Sequence, residues 1–116
     1  MVRFTLKQCA YFLCVVEHGG IAQAARALNI SQPAVSQALD KLEDMYGFRL
    51  LYRHHARGTE VTPEGRAFAA HCRDLLKTAA GVENKASAIA AHLGGTIRFG
   101  CFHTIAPFRL SFRFSR

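Results

Sequence analysis

Arg49, Arg53 and Arg57 recur at four-residue intervals, with His54 and His55 between the last two, in a stretch that is otherwise close to neutral. Guanidinium groups gathered on one short edge suit phosphate, because each presents a fixed fork of N–H donors. The overall charge of +7 is a weaker guide than this local placement. Residues 1–62 carry seven Lys and Arg against five Asp and Glu, residues 63–93 four against three, and residues 94–116 four against none. More than half of the excess therefore lies at the end of the chain, and only the grouped arginines give the first part a phosphate-facing edge.

Other chemistry is thinly provided. His54 and His55 fit an exposed turn first and a phosphate contact second; a metal site needs third and fourth ligands that the neighbouring residues do not offer. His71 and Cys72 are adjacent on a predicted helix, so their side chains diverge. Cys9, Cys14, Cys72 and Cys101 form no CxxC pair, and all but Cys101 fall on apolar helical stripes, as reduced thiols of a cytoplasmic protein do. No glycine-rich loop follows a strand, and no Ser or Cys stands beside a base with an orienting partner. The expectation is no catalytic residue, no cofactor and no metal.

The elements that must position the arginines are helical. Hydrophobic residues make up 50% of the chain and charged residues 20%, enough apolar material for one core in 116 residues. No stretch approaches the roughly 18 apolar residues of a membrane span, and Met1 to Gln8 alternate polar with apolar rather than forming a signal peptide. From Thr5 to Glu17, Leu6, Cys9, Phe12, Leu13 and Val16 recur at helical spacing, predicting one buried face that ends at Gly19-Gly20. Ala22 to Leu28 is a second, short helix, with Asn29 suited to a left-handed turn. Ser31 caps a third helix that starts at Gln32, has Pro33 in its first turn, buries Val35, Leu39, Leu42 and Tyr46, and stops at Gly47. Ser36, Gln37 and Asp40 then lie on its other faces with Gln32. Ala24 and Ala25 permit the close crossing of a helix-turn-helix.

Phe48 to Arg53 and Thr59 to Thr62 read as two short strands around a turn ending in Gly58, a wing that carries the arginines. Thr62-Pro63-Glu64 starts a long helix. Along it Phe68, Cys72, Leu75, Ala79, Val82, Ala86, Ile89 and Leu93 alternate steps of four and three, the spacing of a coiled-coil seam, until Gly94-Gly95. Such a rod is longer than its own domain needs, and the small Ala79 and Ala86 suit a second copy as the covering partner. Gly95 to Cys101 reads as one strand, and the basic, aromatic run from Phe108 to Arg116 as poorly ordered.

The stretch Ala24-Ala25-Arg26-Ala27-Leu28-Asn29-Ile30-Ser31-Gln32-Pro33-Ala34-Val35-Ser36-Gln37-Ala38-Leu39, with Leu42-Glu43, Gly47, Leu50-Leu51, Arg53 and Val61-Thr62-Pro63-Glu64-Gly65, resembles the amino-terminal half of LysR-type transcriptional regulators. The resemblance covers nearly all of residues 4–107. It implies a mainly α, winged helix-turn-helix domain of three helices and a two-stranded wing over 4–62, with the helix-turn-helix at about 21–40 and the wing at about 48–62. A linker and dimerisation helix over 63–93 follows, and 94–116 holds the first strand of an effector-binding domain and a divergent tail.

It further implies that the helix from Gln32 enters the major groove of double-stranded DNA and that the hairpin lies near the backbone or minor groove. Gln32 and Gln37 can donate and accept at once, as a base edge requires; Ser31 and Ser36 suit bases or phosphates, and Pro33 and Ala34 a thymine methyl. Arg53 and Arg57 would supply phosphate affinity. The expected partners are duplex DNA and a second copy, with a heterodimer that interferes with a longer related regulator as the alternative. Two departures stand out: Gly20-Ile21-Ala22 replaces a frequent Ser-Phe-Thr, removing a hydroxyl at the second helix, and Arg53 and Arg57 are one residue further apart than in the commonest wing. The run from Phe108 leaves the family pattern, so the expectation is a truncated chain without a coinducer response.

Overall fold

The computed structural model describes residues 1–52 and 60–94. Its elements are α1 (Leu6–His18), α2 (Ile21–Leu28), α3 (Gln32–Tyr46) and α4 (Pro63–Gly94). The chain divides into two compact units, Met1–Leu76 and Lys77–Arg116, with the boundary inside α4. The hairpin tip with Arg53, His54, His55 and Arg57, and the strand and tail expected after Gly94, lie outside the described residues.

Local chemistry sets each helix end of the first unit. Thr5 and Gln8 form a reciprocal capping box at α1: the Gln8 N–H donates to the Thr5 hydroxyl oxygen at 3.0 Å, and the Thr5 N–H donates to the Gln8 side chain at 2.9 Å. Gly19 closes α1 with a φ of 85°. Gly20 opens α2 without a side-chain cap, in line with the missing hydroxyl at this position. Asn29 ends α2 in the left-handed region, at φ 59° and ψ 45°, and the Ile30 N–H reaches back to the Ala25 carbonyl at 3.0 Å. Two residues later the Ser31 hydroxyl accepts the Ala34 N–H at 3.2 Å and opens α3. Caps of this kind are each worth about 1 kcal/mol.

Cys9, Phe12 and Val15 of α1, Ala24 and Ala25 of α2, and Val35, Leu39 and Leu42 of α3 form one core, completed by Leu50, Leu51 and, from α4, Ala69 and Cys72. The methyl-sized side chains of Ala24 and Ala25 leave room for α2 to close on its neighbours, both being essentially inaccessible. Phe68 lies among Phe12, Phe48 and Tyr46, with ring centroids 5.9, 6.1 and 6.4 Å away.

Several expectations are corrected by this packing. Val15, not Leu6, completes the buried face of α1, because that helix is met by α2, α3 and Phe68 of α4 along Cys9, Phe12 and Val15, while Leu6 at its first position is 49% exposed. Tyr46 sits at the rim, where the Arg3 guanidinium covers its ring at 5.1 Å while donating to the Met45 carbonyl at 3.2 Å. Among the described residues, the pairing expected of two strands is a single antiparallel bridge between Leu51 and Val61. It is flanked by hydrogen bonds from the Tyr52 N–H to Glu60 at 2.9 Å and from the Thr62 N–H to Leu50 at 3.0 Å. The Leu50 N–H is taken instead by the Glu43 carboxylate, at 2.8 Å.

The apolar stripe of α4 has two environments. Ala69 and Cys72 are buried in the core, and Phe68 and Leu75 pack against it, so these residues serve their own domain. In the second unit Val82, Ile89 and Leu93 are 63, 61 and 66% exposed, and Ala86 is exposed as well.

Candidate nucleic-acid interface

Pro33 needs no backbone N–H partner in the first turn of α3, and Ser31 supplies the cap, so the helix begins at Gln32 with defined geometry. Val35 and Leu39 anchor it, at 0 and 2% exposure. At the start of the helix Ser31, Gln32 and Pro33 are exposed, as is Gln37 on the side away from Val35 and Leu39, and Ala34 and Ser36 are half-buried. The structure therefore brings all six of these predicted residues to the N-cap and first two turns of one helix. No acid stands in the first turn of α3, so its positive end is left for an anion. The Ser31 oxygen already accepts the Ala34 N–H, which leaves its O–H as the group that can reach outward.

Thr62 joins the hairpin base to α4. Its hydroxyl donates to the Arg49 carbonyl and its oxygen accepts the Gly65 N–H at 2.9 Å. Gly65 is required by this approach: a Cβ there would fall onto the Leu50 carbonyl oxygen and crowd the Val61 side chain. Glu43 was legible only as part of a family pattern, yet it is a buried carboxylate that binds the hairpin base. Its signal was its position four residues after Leu39, on the inward face of α3.

Among the described residues, the thiols Cys9, Cys14 and Cys72 take no part in this surface. Cys9 and Cys72 are both buried in the core, where the neighbouring Cys9 thiol together with burial pushes the Cys72 thiol up. Burial, with the nearby Glu17 carboxylate, raises Cys14. Among the described residues no three His, Cys, Asp or Glu side chains are grouped to hold a metal, and no helix is long and apolar enough to cross a membrane.

Three packed helices, an α2-turn-α3 unit with a polar outer face, an antiparallel bridge and a long following helix define a winged helix-turn-helix domain. The chain belongs to the family described as "Bacterial regulatory helix-turn-helix protein, lysR family", whose profile matches residues 6–66. Among curated relatives it is 34% identical over 107 residues to the uncharacterized HTH-type transcriptional regulator YvbU of Bacillus subtilis, covering 90% of this chain and 36% of that protein. It is 35% identical over 106 residues to a probable hydrogen peroxide-inducible genes activator of Streptomyces viridosporus, covering 91% of this chain and 34% of that protein. The chain thus spans about a third of the length of these relatives. Among solved structures it resembles the DNA-binding domain of BenM in complex with catB site 1 DNA, with a TM-score of 0.71 and 33% identity over 76% of this chain and 97% of that one. The CbnR DNA-binding domain in its DNA complex gives a TM-score of 0.69 and 36% identity over 75% of this chain and 99% of that one.

Proposed function

We propose that this chain binds double-stranded DNA sequence-specifically as the DNA-binding part of a bacterial transcriptional regulator. The observation that carries this reading is the exposed set Ser31, Gln32, Pro33 and Gln37 on a capped, core-anchored helix, in a domain that resembles others solved on DNA. Gln32 and Gln37 read base edges, Ser36 and Ser31 add hydroxyl contacts, and Pro33 and Ala34 meet thymine methyl groups. Arg53 and Arg57 contribute phosphate contacts, and with them most of the salt dependence. The role is recognition rather than catalysis, with no cofactor, and its place is the cytoplasm, where the DNA is.

A second copy pairs through α4 along Ala79, Val82, Ala86, Ile89 and Leu93. The exposure of Val82, Ala86 and Ile89 supports this, whereas Phe68, Cys72 and Leu75 serve the core. The same stripe suits a longer relative, so mixed dimers follow from the same surface. A dimer favours an approximately two-fold-symmetric site.

Two variants test the division of labour. Arg53→Ala weakens binding to every duplex alike and lowers the salt slope by about one, whereas Gln32→Ala relaxes choice at particular base pairs. Equal loss of sequence choice in both overturns the assignment.

A further inference from the structure

Glu43 is the acid that the fold buries among the described residues, with 8% of its surface exposed. One oxygen of its carboxylate accepts the Leu50 N–H at 2.8 Å and lies 3.5 Å from the Leu51 nitrogen; the other is 3.6 Å from the Arg49 guanidinium. Leu50 is itself fully buried, and its carbonyl accepts the Thr62 N–H at 3.0 Å. Glu43 thus ties α3 to the one edge that joins α3, the bridge to Val61 and the start of α4.

A buried carboxylate is costly to desolvate, and an aliphatic side chain in such a place is often as stabilising or more so. What an aliphatic residue cannot do is hold two successive backbone amides at a fixed distance. The side chains that flank those amides reach the surface, Arg49 while paired with Glu43: the Arg49 side chain is 65% exposed and Tyr52 39%. A guanidinium and a phenol are both phosphate donors.

We propose that Glu43 is a positioning residue for DNA binding: it fixes the Leu50-Leu51 edge to α3 and so sets where Arg49 and Tyr52 meet the phosphate backbone relative to the bases read by Gln32. The inference rests on the DNA-binding reading and deepens it. Base choice stays with α3; Glu43 governs the register between base reading and backbone contact.

The test compares the full 116-residue chain with Glu43→Gln, which keeps size and one acceptor oxygen, and Glu43→Leu, which keeps bulk and no acceptor. Hydrogen exchange of the Leu50 and Leu51 amides, followed by NMR without DNA, reads the positioning itself. Affinity at low temperature, with the helical circular dichroism intact, reads its consequence on two duplexes: one selected by the chain and one altered at a single selected base pair. The expected order of amide protection and of affinity is Glu, Gln, Leu, with a loss of about threefold for Gln and about tenfold for Leu. The preference between the two duplexes stays unchanged. A residue that only stabilised the fold would lower the melting temperature and leave affinity as it was.

Wild-type exchange and affinity in both variants overturn the proposal, as does affinity that falls together with base preference. Faster exchange with unchanged affinity overturns the role in DNA binding and leaves only a structural contact. If Glu43→Leu does not fold, Glu43→Gln decides by the same criteria. Absence of any preference in the wild-type chain removes the DNA-binding reading and the proposal with it, while the exchange data still report whether Glu43 holds the edge.

Discussion

The ring of Phe68, in the second turn of α4, lies 5.9 Å from that of Phe12 in α1, so the long helix begins as part of the domain core. Fourteen residues further along the same stripe, Val82 is 63% exposed. One regular pattern therefore runs from a buried to an exposed setting, and substitutions at its two ends separate the two.

Phe68→Ala removes an aromatic ring from a cluster that includes Tyr46 and Phe48. Because Phe68 is half-buried, the expected loss is about 2–3 kcal/mol, below the range for a fully buried aromatic. Thermal and urea unfolding measure it. Val82→Glu should leave the unfolding of the helix-turn-helix unit within about 0.5 kcal/mol of wild type. It should weaken self-association at least tenfold in sedimentation, since a charge then enters an apolar seam. Unchanged association would place the pairing surface elsewhere. Leu75→Glu is the poorer test, because Leu75 packs against the core and its loss would act on both quantities.

Two glycines of α4 should respond in opposite directions to the same change. Gly65→Ala drives a methyl group into the Leu50 carbonyl and the Val61 side chain, and should cost about 1–3 kcal/mol despite the better helix propensity of alanine. Gly81→Ala adds a methyl group that meets nothing within 4 Å beyond its chain neighbours and the adjoining helix backbone, and should stabilise the helix by about 0.5–1 kcal/mol. Denaturant midpoints of the two variants, measured side by side, check the sign of each.

Gly20→Ser should restore a cap at α2. Gly20 has an extended φ of 170° that any residue adopts, and an added Cβ meets only the movable end of the Gln23 side chain. Serine at this position followed three residues later by Gln23 makes a second capping box like that of Thr5 and Gln8. A gain of about 0.5 kcal/mol is expected. A melting temperature at or below that of the wild type would mean that the new hydroxyl does not reach the exposed amides.

What the sequence disclosed was the chemistry that acts over a few residues. The left-handed Asn29, the Ser31 cap, the proline start of α3 and the glycine stops at Gly19 and Gly47 each depend on neighbours within about four positions. The polar face of α3 followed from the same periodicity that assigned Val35 and Leu39 to the core. Contacts across long separations were not legible. The spacing from Leu39 puts Glu43 on the inward face of α3, but that Leu50 is its partner depends on the path of the chain around Gly47, which no spacing discloses. The seam of α4 keeps its period from Phe68 to Leu93, yet the point at which the core ends depends on the size of the other helices. Leu6 and Tyr46 fit their helical stripes and still lie at the rim, because a stripe says which side is apolar and not how far the neighbouring elements extend along it.

The central claim is that this chain selects particular duplex sequences. Enrichment of genomic DNA fragments by the purified 116-residue chain, at roughly 0.15 M salt so that purely ionic attachment is suppressed, tests it most directly. The account predicts recovery of a small set of related, approximately two-fold-symmetric sequences, with the set broadened by Gln32→Ala. Recovery of fragments in proportion to their abundance, unchanged by that substitution, would contradict it.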